Sequence, residues 1–359
     1  MKKILIISTV GLIYDGITSV IRSYLKAMDM TNFEIHIVST IYCESRIKEE
    51  LLDIGCRLLE LPNRKKRPLQ YLRELSEYIF RNKIDVVHVH GNSSIMTIEL
   101  IAAYLGKCKK RIVHSHNTKC DHKYIDKFLR PFFYLLYTDA LACGTAAGKW
   151  LFGKRHFMVL PNGRDIRLYQ YNDVKRTQMR DYYKISNRLV IGHVGGFVPQ
   201  KNHTFLIEII RALKSRKKDF LFFMIGDGEL RSKIEEISAD IKEHIVFLGN
   251  IDNVSDYLNM MDVMVLPSLF EGMPLVVVEW QINGLPCIVS DVVTSDCKLT
   301  DLVEFVSLHR SADDWAEVIL NISAKSCTRF DSEMYVDAIK KQGYDIQDSV
   351  AQLTHLYNA

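Results

Sequence analysis

Several patterns that would point to other classes of protein are missing from the 359-residue sequence. Its eight cysteines are scattered and never form C-x-x-C, which argues against a disulfide framework and favours reduced thiols of a cytoplasmic protein. No segment reaches the roughly 18 uninterrupted apolar residues of a membrane helix. The opening MKKILIISTVGLI resembles a signal peptide but lacks a small-x-small cleavage site, so we interpret it as a buried strand. No G-x-G-x-x-G is present, which excludes the nicotinamide fingerprint.

What is present is the composition of a soluble globular protein, with 48% hydrophobic and 25% charged residues. The length suits two domains of about 150 to 200 residues each. The net charge of +4 is divided unevenly, because residues 1–170 hold 27 Lys+Arg and 16 Asp+Glu whereas the remainder holds 20 and 27. This asymmetry predicts different partners for the two halves.

Short apolar runs alternate with helical patterns along the whole chain. Such runs predict parallel strands covered on both faces, and hence two doubly wound α/β domains that divide near residues 161–173. Ligands of these sheets bind at the carboxyl ends of the strands, so two facing domains would form a cleft. The runs lie at 3–9, 34–40, 84–90, 111–115, 139–143 and 156–160, and then at 188–195, 220–226, 244–249, 262–267 and 286–290.

The segment SLFEGMPLVVVEW, residues 268–280, follows the last residue of a predicted strand. Pro274 occupies the expected first position of an apolar helix, and Gly272 allows the backbone to approach a ligand closely. A helix N-terminus offers free N–H groups and partial positive charge, which suits a phosphate. Glu271 before the helix and Glu279 in its second turn can both hydrogen-bond sugar hydroxyls, although acidic residues also favour first turns for stability alone.

Three segments together resemble the retaining glycosyltransferases of family 4, which have the GT-B fold. They are VLPNGRDI (159–166), GHVGGFVPQKNHTFLIEI (192–209) and FEGMPLVVVEWQINGLPCIVSD (270–291), and the similarity extends over most of the chain. It is closest to enzymes of bacterial capsular or exopolysaccharide synthesis. The resemblance implies that Glu271 contacts the transferring sugar and Glu279 the nucleotide ribose. It assigns the diphosphate site to Gly272, Met273, Pro274, Leu275 and Val276.

The resemblance further implies an N-terminal acceptor-binding domain over 1–165 and a C-terminal nucleotide-sugar domain over 166–341. A terminal helix at about 342–359 would cross back to the first domain. Lys201 would neutralise the departing diphosphate. Family members usually carry an arginine as well, where this chain has Gly196, and this departure puts catalytic competence in question.

Five further residues are assigned by the resemblance. Gly226 would lie near the phosphates, and Asn253 and Val254 near the base. Gly16 would lie in a loop against the donor phosphates and the acceptor, and His116 beside the donor sugar. The alternatives are ordinary turn chemistry for the first four and a satisfied strand-end histidine for His116.

A metal site is not expected from the sequence. His114 and His116 share a strand face, but the following loop offers only Cys120, Asp121 and His122 as further zinc ligands. No D-x-D triplet occurs, which argues against the metal-dependent, single-domain glycosyltransferases. The expected enzyme therefore needs no metal and no cofactor besides its nucleotide-sugar substrate.

Two basic segments, residues 63–82 and 123–139, interleave cations with aromatic and aliphatic side chains. They fit either an anionic membrane surface or amphipathic helices that pack on the core. Nucleic acid is not expected, because no recognised module accompanies the charge.

The sequence thus predicts a cytoplasmic enzyme, which would lie at the inner face of the membrane if the two basic segments bind anionic lipid. It would transfer a hexose or N-acetylhexosamine from a UDP-sugar to a lipid-linked saccharide. The alternatives are a UDP-sugar 2-epimerase of the same fold and a catalytically weak sugar-nucleotide binding subunit.

Overall fold

The protein consists of two compact units, each built on its own parallel sheet. Unit 1 comprises Met1–Gly163 with Ile346–Ala359, and unit 2 comprises Arg164–Asp345. The structure is a computed structural model and describes residues 1–118, 120, 122–185, 187–216, 219–325, 329 and 332–359.

The sheet of unit 1 has seven strands in the order β3-β2-β1-β4-β5-β6-β7, all paired in parallel. Its central strands are buried over most of their length, as their unbroken apolar runs require. The strands are β1 (Lys2–Ser8), β2 (Phe33–Ser39), β3 (Arg57–Glu60), β4 (Val86–Gly91), β5 (Lys110–Ser115), β6 (Asp139–Ala142) and β7 (Met158–Val159). The helices between them are α1 (Gly16–Ala27), α2 (Ser45–Asp53), α3 (Pro68–Asn82), α4 (Thr97–Leu105), α5 (Lys123–Leu136) and α6 (Thr145–Phe152).

Unit 2 repeats the architecture with six parallel strands in the order β10-β9-β8-β11-β12-β13. They are β8 (Leu189–Val194), β9 (Phe220–Ile225), β10 (Ile245–Gly249), β11 (Val263–Leu266), β12 (Cys287–Ser290) and β13 (Val303–Val306). The helices are α7 (Ile166–Tyr169), α8 (Asp173–Tyr182), α9 (His203–Ser215), α10 (Arg231–Ile237), α11 (Val254–Met260), α12 (Leu275–Ile282), α13 (Ala312–Lys325) and α14 (Ser332–Lys341).

The last helix, α15 (Ile346–Asn358), belongs to unit 1 and packs against α1. Its Tyr357 is fully buried, and the hydroxyl lies 2.7 Å from Nδ1 of His88 on β4. The Lys2 ammonium donates to the carbonyl of Tyr357 at 2.7 Å. These contacts attach the last helix to β1 and β4, which are neighbouring central strands of the unit 1 sheet.

The two doubly wound sheets confirm the predicted fold class. The sequence patterns missed two strands, β3 (RLLE) and β13 (VEFV), which are short strands at sheet edges and only partly buried. Edge strands pack on fewer neighbours, so their sequences are less apolar. Pro274 is the N-cap of α12 and the helix begins at Leu275, one residue later than predicted.

None of the described helices is long and apolar enough to span a bilayer. The seven cysteines within the described ranges are free thiols, and Cys327 lies outside those ranges.

Candidate functional site

Two loops at the carboxyl edge of the unit 2 sheet meet around Glu271. One follows β8 and contains a 3₁₀ turn at Pro199–Lys201, and the other follows β11. Lys201 Nζ lies 2.6 Å from Oε1 of Glu271, with 16% and 9% of the two side chains exposed. Ser268 also donates to Oε1, at 2.8 Å, and Gln200 Nε2 donates to Oε2 at 2.9 Å. The structure therefore brings together two predicted catalytic residues and adds two polar partners.

This arrangement holds a carboxylate in place with three donors. The ammonium of Lys201 has three N–H groups, and one is directed at Glu271. The other two can donate to an anion without displacing the carboxylate of Glu271. Gln200 precedes Lys201 directly and Ser268 lies three residues before Glu271, and neither carries a charge. Proximity to Lys201 and Glu271 was the only sequence signal that could have found them.

Glu279 is engaged by a buried arginine that the sequence analysis quoted without assigning a role. Arg164 Nε lies 2.9 Å from Oε1 of Glu279, and the side chains are only 2% and 7% exposed. Burial raises the pKa of Glu279, while the Arg164 charge and a hydrogen bond with Tyr169 act in the opposite direction. The carboxylate assigned to the ribose is thus already paired in the absence of a ligand.

Helix α12 is buried on nearly all sides, including Leu275, Val277, Glu279 and Trp280. Of the predicted phosphate residues, Pro274 caps the helix and Val276 lies in its first turn and is half-buried. Gly272 and Met273 form the half-buried loop before it, and Met273 Sδ lies 3.9 Å from the Tyr344 hydroxyl. The N-terminal turn of α12 therefore follows directly after the Glu271 loop.

The glycines of the neighbouring loops serve different purposes. Gly226, at φ +134°, packs so closely that a Cβ there would lie 2.2 Å from the carbonyl oxygen of Gly195. Gly196 has no positive φ, and a Cβ there would lie 3.5 Å from the carbonyl oxygen of Asp227, an ordinary contact. Backbone geometry therefore explains the glycine at 226 and does not explain the one at 196.

The residues assigned to the base lie on another loop of unit 2. Asn253 is the exposed N-cap of the short helix α11, and Val254 is its first residue. Within the described parts of the chain, no hydrogen bond or ion pair joins either residue to Lys201 or Glu271.

In unit 1, Gly16 is the exposed first residue of α1. The preceding Asp15 caps the helix, since its carboxylate accepts a hydrogen bond from Thr18 N at 2.8 Å. Burial raises the pKa of Asp15. The loop around Gly16 is thus fixed by a side-chain cap.

His116 follows the last residue of β5 and belongs to a group of four histidines. His90 Nδ1 lies 2.9 Å from His116 Nε2, and burial lowers the pKa of His116 to about 3. Ligand atoms of His88, His90 and His114 lie within 4.8 Å of one another. The further zinc ligands that the sequence suggested lie in the following loop, and one of them, Asp121, is outside the described residues. The paired H-x-H segments on adjacent strands were the signal for this cluster.

Comparison with known proteins assigns the chain to a family. Residues 14–167 match the family model described as Glycosyltransferase Family 4, and residues 188–325 match the one described as Glycosyl transferases group 1. EpsF of Bacillus subtilis (strain 168), a protein named as a glycosyltransferase, is 33% identical over 97% of this chain and 94% of its own length. The chain belongs to glycosyltransferase family 4.

A further relative and two solved structures are also similar to this chain, and the solved structures support the fold. The UDP-Gal:alpha-D-GlcNAc-diphosphoundecaprenol alpha-1,3-galactosyltransferase of Escherichia coli is 26% identical over 87% of this chain and 88% of its own. Alr3699/HepE of Anabaena, solved in complex with UDP, superimposes with a TM-score of 0.79 at 15% identity over 100% of both chains. WaaG, a glycosyltransferase involved in lipopolysaccharide biosynthesis, gives 0.73 at 12% identity over 100% and 98%.

These findings confirm the predicted family and the GT-B fold class of this glycosyltransferase. Capsular and exopolysaccharide-type relatives also support a role in polysaccharide synthesis. The roles assigned to individual residues stay predictions, because the matches concern whole domains.

Proposed function

We propose that this family 4 enzyme is a retaining glycosyltransferase that moves a hexose or N-acetylhexosamine from a UDP-sugar to a lipid-linked saccharide acceptor. The observation that carries the proposal is the Lys201–Glu271 contact beside the N-terminus of α12. Support for the substrates comes from the E. coli relative, whose name specifies UDP-galactose and a diphosphoundecaprenol-linked sugar. Alr3699/HepE was also solved with UDP-glucose.

In the transfer, the bond between the anomeric carbon and the diphosphate oxygen breaks, and a bond to an acceptor hydroxyl forms. Negative charge grows on the leaving diphosphate, whose oxygen takes up the proton that the acceptor hydroxyl releases. Lys201 and the free N–H groups at the start of α12 stabilise that charge, and a preorganised donor of this kind contributes about 3 kcal/mol. Gly272 to Val276 form the backbone that surrounds the diphosphate.

Glu271 holds hydroxyls of the transferring sugar, because Lys201, Gln200 and Ser268 fix its carboxylate in one orientation. Glu279 accepts from the ribose hydroxyls, and the charge of Arg164 opposes the rise in the pKa of Glu279 that burial causes. His116 contributes a neutral imidazole to the sugar.

The remaining assignments complete the binding of donor and acceptor. The loop at Gly16 lies against the phosphates and the acceptor, Gly226 lies near the phosphates, and Asn253 and Val254 contact the base. No metal is required, because the cation and the helix N-terminus supply the positive charge.

The acceptor is lipid-linked, and we expect unit 1 to contact the inner face of the membrane through α5. This helix packs its Asp126 and Phe133 side inward, while Tyr124, Phe128 and Leu135 are 91%, 72% and 81% exposed. Exposed apolar side chains in one stripe mark an interaction surface, and the excess of Lys and Arg in the first half favours anionic head groups.

The test is a transferase assay with undecaprenyl-diphosphate-linked sugars and a panel of UDP-, GDP- and ADP-sugars, in the presence and absence of EDTA. We expect a UDP-sugar to extend the lipid-linked acceptor equally well with EDTA. A 2-epimerase would instead convert the UDP-sugar without acceptor, and a binding subunit would show a thermal shift with UDP but no turnover. Strict dependence on manganese would contradict the metal-free mechanism.

A further inference from the structure

Four imidazoles form one layer on a single face of the unit 1 sheet. His88 and His90 alternate along β4, and His114 and His116 along and just beyond β5, so each pair points to the same side. His90 is the register partner of His114, which brings the two pairs side by side. The ring centroids of His90 and His116 are 5.1 Å apart, and those of His114 and His116 are 4.2 Å apart.

All four rings are neutral near pH 7. Burial is the largest cause that lowers the pKa of each of His88, His90 and His114, and neighbouring histidines lower these pKa values further. The rings have no carboxylate hydrogen-bond or ion-pair partner in the described ranges. A divalent metal bound here would bury its whole charge without a counter-charge, which is unfavourable. Two of these neutral rings, His90 and His116, are close enough to share a hydrogen bond.

A hydrogen bond between two neutral imidazoles requires one protonated and one unprotonated nitrogen. The 2.9 Å contact between His90 Nδ1 and His116 Nε2 therefore couples the tautomers of the two residues. If His90 donates, the proton of His116 must sit on Nδ1. If His116 donates, its Nδ1 carries a lone pair.

The surroundings favour the second arrangement. His116 Nδ1 is buried and has no hydrogen-bond partner among the described residues. An unpartnered buried N–H group is rarer than an unpartnered acceptor, so the proton belongs on Nε2. His90 Nε2, which then carries the proton of His90, is not among the buried nitrogens that lack a partner.

We infer that His90 is a positioning residue for His116, holding it in the Nε2–H tautomer with Nδ1 unprotonated. This inference rests on the proposed function for its catalytic consequence, since His116 is there assigned to the transferring sugar. The hydrogen bond itself is a property of unit 1 and can be measured without substrate.

The experiment compares two variants of His90 with a control from the same layer. In His90→Asn, the amide oxygen stands near the former Nδ1 position and can still accept from His116, whereas His90→Leu removes the acceptor. His88→Leu is the control, because it also removes a buried ring but its hydrogen bond is to Tyr357. The tautomer of His116 is read from the ¹⁵N shifts of its ring in the full chain.

We expect wild-type and His90→Asn proteins to show His116 protonated at Nε2, and His90→Leu to lose this single tautomer. Turnover should fall about tenfold or more in His90→Leu, recover largely in His90→Asn, and change less than about twofold in His88→Leu. Donor KM should change little in all three.

The inference is overturned if wild-type His116 is protonated at Nδ1, or if its tautomer is the same in His90→Leu. Equal losses of turnover in all three variants would make the role structural only. Stoichiometric metal in the purified protein, lost on mutation of His90, would also overturn it. The tautomer of His116 could depend on His90 while the protein shows no transferase activity. That result would contradict the proposed function but would support the hydrogen-bond coupling between His90 and His116.

Discussion

Unit 2 holds charged side chains in pairs in its loops and on α12, whereas unit 1 holds neutral imidazoles on β4, on β5 and just after β5. Lys201 pairs with Glu271 and Arg164 with Glu279, each at low exposure. The histidines of unit 1 are kept uncharged by burial. The same architecture therefore offers one edge suited to an anionic ligand and another suited to uncharged hydroxyl groups.

The outer surfaces differ as well. In unit 1, α5 exposes an apolar stripe next to the exposed lysines Lys123 and Lys127. In unit 2, exposed apolar residues such as Val174 and Tyr182 lie on α8, which includes several charged residues. This contrast agrees with our proposal that unit 2 recognises the charge of the donor and that unit 1 contacts a lipid surface.

The largest expected effect comes from breaking the buried pair of unit 2. Glu279→Ala leaves the Arg164 guanidinium buried without its carboxylate, and we expect a loss of about 3 to 5 kcal/mol in unfolding free energy. Denaturant unfolding monitored by circular dichroism measures this loss.

The double variant Arg164→Met/Glu279→Leu is the matched control for stability. It removes both charges and should recover most of the loss, because apolar replacements of similar volume often match a buried ion pair.

The conservative variants test the roles of the two glutamates. Glu279→Gln should fold and weaken UDP binding more than it lowers turnover, whereas Glu271→Gln should lower turnover more than it weakens UDP binding. If Glu279→Gln and Glu271→Gln change UDP affinity and turnover equally, the assignment of Glu279 to the ribose and Glu271 to the sugar is wrong.

The second effect concerns the cation of the donor site. Lys201→Ala should cost about 2 to 4 kcal/mol of transition-state stabilisation, because one preorganised charge on the diphosphate is lost. Steady-state kinetics with the identified donor measures it, and the exposed Lys242→Ala serves as control. Wild-type turnover in a folded Lys201→Ala protein would contradict the proposed mechanism.

The difference between the two sheet edges was only partly predictable from the sequence. The strands other than β3 and β13 follow from local apolar runs, and motif order places Glu271, Lys201 and the start of α12 to within one residue. The Arg164–Glu279 pair does not, because it joins an interdomain segment to a buried helix and depends on how α12 packs. The histidine layer required the register of β4 and β5, in which His90 lies beside His114. Local patterns predict elements, whereas side-chain pairs between elements depend on register and packing.

A third prediction addresses the surface of unit 1. The variant Phe128→Ser/Leu135→Ser on α5 should lower binding to phosphatidylglycerol vesicles by about tenfold or more, since each buried apolar side chain contributes about 1.5 to 3 kcal/mol. Vesicle co-sedimentation measures the change, with Tyr182→Ser on unit 2 as an exposed control. Binding of wild type that is equal on phosphatidylcholine and phosphatidylglycerol vesicles would argue against a role for the basic charge.

The smallest effect tests whether the donor site of unit 2 can accept more positive charge. Gly196 stands where family members usually have an arginine, and neither its φ nor its neighbours require glycine. We therefore expect Gly196→Arg to fold with a nearly unchanged melting temperature and to raise donor affinity or turnover by up to about tenfold. Gly196→Gln is the matched control, because it adds a long polar side chain without charge.

The gain of Gly196→Arg over Gly196→Gln should shrink as ionic strength rises, because a partly exposed charge is screened by salt. An equal gain in both variants would assign the effect to packing instead of charge. No gain in either would mean that Lys201 and the N-terminus of α12 already neutralise the diphosphate, and the glycine would then be a substitution without catalytic cost.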